Sequence, residues 1–188
     1  MAPTTNDFTP MTDKAPLRAP EKARPARPRW LRWTRDIAFF LVVFAAIQWW
    51  QSRDLVAGAA PPLVGHLVDG APFQLDPARG PFLVHFWATW CPICRLEQDS
   101  IASIAADRPV ITVATTSGDS GELADYLAEH GLKMPVLMDE DGTIARAWGV
   151  SGVPSTFVID TAGRIRHAGT GYSTELGLRL RLWWTEFR

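Results

Sequence analysis

Cys91 and Cys94 are the only cysteines in the 188-residue chain, and they stand two residues apart in Trp90-Cys91-Pro92-Ile93-Cys94. Two thiols at that spacing can close a disulfide and reopen it. The run before them, Phe82-Leu83-Val84-His85-Phe86-Trp87, predicts a buried strand, and the apolar spacing from Pro92 to about Ala106 predicts a helix. Cys91 then falls at a helix N-terminus, where free backbone N–H groups and the macrodipole favour a thiolate and lower the thiol's pKa. Pro92 suits the first helical position, which has no use for an N–H. Cys94, one turn on, reaches back to the same sulfur.

Other chemistry is open to a Cys-x-x-Cys pair. A structural zinc site needs about four ligands, whereas this chain has no second cysteine pair and its His66, His85, His130 and His167 are scattered singly. Two soft thiolates could hold Cu(I), although a flanking tryptophan and a buried strand are poor surroundings for such a loop. An inert disulfide closing so short a loop removes little unfolded-state entropy and stabilises weakly.

The segment ahead of the motif bears on compartment. Residues 1–36 hold six of the fifteen prolines, eight Lys or Arg and four acids, which predicts a basic, Pro-rich, disordered tail over 1–35. From Ile37 to Ser52 come sixteen residues without a charge. That run covers roughly 24 Å as a helix, slightly short of a bilayer core. Trp30 and Trp33 on one side match Trp49 and Trp50 on the other as interfacial belts, and Arg32 and Arg35 can snorkel. The reading is a transmembrane signal anchor over 36–53 with a linker at 54–60. The arginine-rich flank keeps the N-terminus in the cytoplasm and exports the rest. Residues 1–53 carry nine bases and four acids, while 54–188 carry ten bases and sixteen acids. Two competing readings are a cleaved signal peptide, with Ala57-Gly58-Ala59 as its small-residue site, and a buried core helix. The first puts cleavage far from the apolar run, and the second gives the basic flank and paired tryptophans no purpose.

The exported part, 61–188, is long enough for one domain. After the first strand and helix, Val110–Ala114 predicts a second buried strand. Asp119 with Glu122 predicts a capped helix bearing Leu123, Tyr126 and Leu127 and closed by Gly131. Val136–Met138 and Thr156–Ile159 predict further strands, the latter turning at Asp160-Thr161-Ala162-Gly163 into Ile165–Ala168. A final amphipathic helix from about Thr174 carries Leu176, Leu180, Trp183, Trp184 and Phe187. Parallel crossovers plus one hairpin give an α/β sheet with helices on both faces. Asp139-Glu140-Asp141-Gly142 is too short for a calcium loop and reads as a turn. No phosphate loop or nucleic-acid stripe appears.

Phe86-Trp87-Ala88-Thr89-Trp90-Cys91-Pro92-Ile93-Cys94, followed about sixty residues on by Gly152-Val153-Pro154-Ser155-Thr156-Phe157, resembles the thioredoxin fold. Within that fold it resembles the membrane-anchored, periplasm-facing group of TlpA, ResA and DsbE. Gly169-Thr170-Gly171-Tyr172-Ser173-Thr174-Glu175 and the helix after it are similar to ScsD, a disulfide oxidoreductase associated with copper tolerance. The resemblance covers 61–188 and implies a central mixed sheet flanked by helices, here preceded by one transmembrane helix.

It also implies roles. Cys91 would be the exposed attacking thiol and Cys94 the buried resolving one. Pro154 would be a cis-proline that sets the Val153 backbone against the site to pair with an extended substrate segment. Trp90, Pro92 and Ile93 would meet the substrate beside Val153. Glu97, one turn beyond Cys94, would take that thiol's proton, whereas Asp99 reads as a solvated helix carboxylate. His85 departs from the pattern, since thioredoxins carry an aspartate there and the TlpA group often an asparagine. An imidazole facing Cys94 could accept its proton or, when charged, stabilise a thiolate. The expected partners are exported protein thiols or disulfides, a membrane thiol reductase of the DsbD or ScsB kind, and the inner membrane itself. No nucleic acid, no metal and no cofactor beyond the Cys91–Cys94 disulfide is expected. The reading is a tethered periplasmic thiol:disulfide oxidoreductase of a Gram-negative-type cell. The alternative is a Cu(I)-binding module, and a peroxidase is less favoured.

Overall fold

A computed structural model of the chain describes residues 29–52 and 55–187, with side chains placed over 33–47 and 55–187. Most of the expected basic tail, residues Arg53 and Asp54, and the side chains of Trp30, Arg32, Trp49 and Trp50 lie outside the described residues. Helix α1 (Arg29–Ser52) begins within the stretch expected to be tail, because no proline interrupts the chain between Pro28 and Pro61. Trp33, Phe39, Phe40, Leu41 and Phe44 on it are exposed. Among the described residues no helix is long and apolar enough to cross a membrane. The expected span is therefore not shown by α1, whose uncharged stretch is only sixteen residues against the roughly twenty that a bilayer core requires.

The rest of the described chain forms a six-stranded mixed sheet and a two-stranded hairpin. The large sheet is made of β1 (Gly58–Ala59), β4 (Phe82–Trp87), β5 (Val110–Thr115), β6 (Val136–Asp139), β7 (Ser155–Ile159) and β8 (Arg164–Thr170), in the order β1-β8-β7-β4-β5-β6. Strands β4, β5 and β6 run parallel, while β7, β8 and β1 continue the sheet by antiparallel pairing. Every residue of β4 and β5 is buried, as expected of central strands covered on both faces. Register places His85 between Thr112 on β5 and Thr156 on β7.

Side chains alternate between two differently covered faces. On one, Leu83, Val110 and Val158 meet Ile101 and Ile104 of α2 (Pro92–Ala105) and Leu178 and Leu182 of α5 (Glu175–Glu186). Further along that face, Trp87 and Ala114 pack with Leu123 and Leu127 of α3 (Ser120–Glu129). On the other, Phe86, Trp148 and Phe157 stack edge to tilt at centroid distances of 5.0–5.7 Å, with Ala145 of α4 (Thr143–Ala147) among them. The hairpin of β2 (Val64–His66) and β3 (Pro72–Gln74) completes this cover through Leu63 and Phe73.

The capping box of α3 forms as expected from Asp119 and Glu122, and Gly131 follows with φ +63°. Three placements differ from the sequence reading. The expected linker belongs to the domain: Leu55 is buried, the Val56 N–H donates to Trp148 O, and Gly58 and Ala59 pair with β8. The turn Asp139–Gly142 does more than reverse the chain, since the buried Asp139 carboxylate accepts the N–H groups of Ile144 (2.8 Å) and Ala145 (3.0 Å) and so caps α4. Helix α5 buries Leu178, Leu182 and Thr185, not the stripe of Leu176, Leu180, Trp183, Trp184 and Phe187, which is exposed. Arg179 on the flank of the helix reaches Asp107 and the Ser103 carbonyl at the end of α2.

Leu182→Ala should accordingly lower unfolding free energy by about 2–5 kcal/mol, whereas Leu180→Ala should stay within about 0.5 kcal/mol of the parent. Urea midpoints of the two variants read this directly, and equal losses would contradict the rotation of α5.

Candidate active site

Strand β4 ends at Trp87, and the chain turns through Ala88, Thr89 and Trp90 into α2. Neighbouring loops hold this turn. The Trp90 indole N–H donates to Thr116 O (3.0 Å), the Thr89 N–H to Ser117 Oγ (3.2 Å), and Arg95 reaches back to Thr89 O (3.1 Å). Thr116 holds a left-handed φ of 45°, which aims its carbonyl at the indole. Trp90 is thus pinned at its nitrogen while its ring is 60% exposed.

Cys91 is the N-cap of α2, with Pro92 in the first turn, and its Sγ accepts the Cys94 N–H at 3.2 Å. The two cysteines form a disulfide with a Cα–Cα separation of 5.3 Å. In this state neither sulfur is freely exposed: Cys91 is 4% and Cys94 1% accessible. The exposed attacking thiol of the sequence reading is thus nearly covered in the disulfide form. The Val153 carbonyl oxygen lies 3.7 Å from Cys91 Sγ. The Val153–Pro154 peptide bond is cis. Its loop is held by Ser155 Oγ donating to Gly152 O (2.7 Å) and the Gly171 N–H donating to Pro154 O (2.8 Å). Pro92 and Ile93 are exposed beside the disulfide. A crevice of 210 Å³ runs alongside, between Trp90, Arg146, Val150, Gly152 and Val153.

Beneath α2 lies an unexpected pairing. Glu97 is fully buried, one turn after Cys94 on the same helix face. Its Oε1 accepts the Ser173 N–H, while Oε2 has no hydrogen-bond partner among the described residues and lies 3.9 Å from His85 Nε2. The His85 ring is buried too, and its Nδ1 shares a 3.0 Å hydrogen bond with Thr156 Oγ1. Burial pushes the Glu97 carboxyl up to about 7, opposed by the Ser173 amide, and pushes His85 down to about 4. Each group is driven toward its neutral form. A charged His85 at neutral pH, one of the two options in the sequence reading, does not fit this burial.

The structure therefore gathers Cys91, Cys94, Trp90, Pro92, Ile93, Val153 and Pro154 at one surface, with Glu97 and His85 below it. Sequence reasoning missed Thr116, Ser117, Thr156 and Ser173. Each acts through register or a long-range backbone contact, for which residue type gives no signal. Among the described residues no three His, Cys, Asp or Glu side chains gather as metal ligands.

Comparison with known proteins follows the same lines. The profile of the Redoxin family matches residues 56–178. A thiol:disulfide interchange protein DsbE homolog of Paracoccus denitrificans is 43% identical over 90 residues, covering 46% of this chain and 50% of its own length. The chain thus spans about half the length of that relative. Thiol:disulfide interchange protein DsbE of Escherichia coli is 30% identical over 153 residues, covering 71% of this chain and 82% of that protein. The crystal structure of a thiol:disulfide interchange protein of the thioredoxin family from Chlorobium tepidum superposes with a TM-score of 0.60 at 26% identity, over 69% of this chain and 97% of that one.

The opposed shifts of Glu97 and His85 have a testable signature. Between about pH 4.5 and 7 the folded state keeps the Glu97 proton that the unfolded state releases, so this group's contribution to stability falls as pH rises. Between about pH 4 and 6.5 the unfolded state takes up a proton that buried His85 refuses, so its contribution rises with pH. Glu97→Gln removes the first slope only. Relative to that variant, the oxidised parent should lose on the order of 2–3 kcal/mol from pH 4.5 to 7. Urea midpoints across that range measure it, and parallel pH profiles would contradict the placement of Glu97.

Proposed function

Because the chain belongs to the Redoxin family, we propose that it is a thiol:disulfide oxidoreductase that exchanges disulfides with exported proteins through Cys91 and Cys94. The observation that carries this reading is the Cys91–Cys94 disulfide at the N-cap of α2, with the Val153 carbonyl 3.7 Å from Cys91 Sγ. The thiol:disulfide interchange proteins among its relatives support it.

In the dithiol state the Cys94 N–H that now meets a disulfide sulfur would meet the Cys91 thiolate, a charge-assisted bond that lowers the thiol's pKa. The Cys91 thiolate attacks a substrate disulfide, one substrate sulfur leaves as a thiolate and takes up a proton, and a mixed disulfide forms. Cys94 then gives its proton to Glu97 and attacks Cys91 Sγ, releasing the second substrate thiol. Glu97 accepts that proton only from its carboxylate form, so resolution quickens as pH rises through about 7. Neutral His85, held by Thr156, keeps a ring nitrogen toward the Glu97 oxygen that lacks a partner. The substrate segment extends along Val153 and places a side chain in the crevice between Trp90 and Val150. The oxidised enzyme regains two electrons from a membrane thiol reductase of the DsbD or ScsB kind. In the oxidising direction the same steps run backwards.

The tether is part of the proposal. Helix α1 would anchor the chain in the inner membrane, with the basic segment before it in the cytoplasm and the domain in the periplasm. A reporter fused after residue 60 should be active only outside the cytoplasm, and cytoplasmic activity would overturn the topology.

A glutathione redox titration followed by tryptophan fluorescence tests the chemistry. A two-electron transition well below about −200 mV marks a reductant, and one near −120 to −180 mV a disulfide donor. Absence of any two-electron transition would instead favour Cu(I) binding by the pair. Cys91→Ser should abolish turnover, while Cys94→Ser should accumulate mixed disulfides on non-reducing gels; equal activity of the two variants would remove the assigned roles.

A further inference from the structure

Helix α5 has two apolar sides. Leu178 and Leu182 are buried against α2 and the sheet. At 3.6 residues per turn, Leu176, Leu180, Trp183, Trp184 and Phe187 form one stripe on the opposite side, and each is between 48% and 71% exposed. Trp183 packs edge-on against Phe187 at 4.9 Å, so the stripe ends in an aromatic cluster. An apolar patch this continuous on a folded domain marks an interaction surface.

Its neighbours say what covers it. Leu180, Arg181 and Trp184 of α5 line a 380 Å³ crevice together with Arg166 and His167 of β8. Arg166 holds Asp160 at 2.6 Å, and Arg181 has no ion pair among the described residues. Two guanidinium groups therefore sit beside the aromatic stripe on a domain that is otherwise acidic, with ten bases against sixteen acids over 54–188. The chain also enters the domain here. Gly58 pairs with Ile165 and Ala59 with Arg164, so the entering segment runs along β8 next to the crevice-lining Arg166 and His167. Arginines beside exposed tryptophans match the headgroup and acyl boundary of an anionic phospholipid surface.

We propose that the outer stripe of α5, with Arg166 and Arg181 beside it, is a membrane-contact face that lies on an anionic phospholipid surface. Tryptophan and phenylalanine enter the headgroup and acyl boundary, and the arginines meet lipid phosphates. The active-site surface is thereby held in a fixed orientation to the membrane. The inference rests on the reading of α1 as an anchor.

The test keeps the two apart. Full-length Leu180→Cys protein, its native pair held as the disulfide, is labelled with an environment-sensitive dye and mixed with phosphatidylcholine vesicles with and without phosphatidylglycerol. Glu129→Cys at the exposed end of α3 serves as the control position, and Leu176→Cys as a second position on the stripe. Flotation with vesicles reads the anchor. The dye at 180 and 176 should shift to the blue, be quenched by headgroup nitroxide lipids, and respond more strongly with phosphatidylglycerol present, while the dye at 129 stays water-like. Arg181→Gln should reduce the phosphatidylglycerol response. A chain that floats with water-like dye at 180 and 176 overturns the face alone. A chain that does not float overturns the anchor and, with it, a face that depends on being held at the surface. A shift that appears without lipid and grows with protein concentration would assign the stripe to a second copy of the chain and overturn the lipid assignment.

Discussion

The sulfur of Cys91 occupies the point where α2 begins, and the surrounding structure is arranged to keep it there. A helix N-terminus leaves N–H groups that need acceptors, and here one of them, from Cys94, is given to Sγ. The arrangement holds only if α2 is fixed against the sheet and the turn ahead of it is fixed as well. Ile101 and Ile104 bury the far end of the helix. The Thr116 carbonyl, the Ser117 hydroxyl and Arg95 secure Trp90 and Thr89 at the near end. The loop at Val153 closes over the sulfur from a third direction, tied by Ser155 and Gly171. The Trp90 ring and the Val153 backbone thus flank the sulfur on two sides.

Burying Glu97 under this helix is expensive, and the structure shows how the cost is limited. Two charges taken out of water recover their desolvation only with close, fully bonded geometry. At 3.9 Å, Glu97 Oε2 and His85 Nε2 do not have it. Burial instead moves the carboxyl up and the imidazole down, so that both can be neutral together. Ser173 gives the carboxyl one bond and Thr156 gives the ring one. A group poised near neutrality in this way can change its protonation state without first forming a long-lived buried charge, which suits the proton exchange with Cys94 proposed above.

Much of the fold was legible because its central elements are strongly patterned. The limits of β4 and the capping box of α3 followed from runs of buried residue types and from cap chemistry. The cysteine pair stood out by type and spacing, while the Val153–Pro154 element and Glu97 were marked by the resemblance to the thioredoxin fold. What was not legible depends on contacts between distant segments. The His85 and Glu97 approach needs the register of β4 together with the rotation of α2. Strands β1, β2 and β3 are two or three residues long, too short for alternation to show. Helix α5 misled because both of its sides are apolar at helical spacing, and the pattern alone favours the bulkier side. The side that is buried is the one that places Leu178 and Leu182 against α2 and the sheet, a tertiary contact that the pattern does not show.

The cap at Cys91 also bears on the balance between the two redox states. In the disulfide the Cys94 N–H meets a neutral sulfur; in the dithiol it would meet a thiolate, and a charge-assisted bond is roughly twice as strong as a neutral one. The cap therefore favours the reduced state, which makes the pair more oxidising than an uncapped one. Cys94 lies one turn further along α2, with His85 and Glu97 beneath the same helix. The cap suits Cys91 to the attacking role proposed above, and a carboxyl raised toward neutrality beneath α2 suits Glu97 to the proton transfer proposed with it.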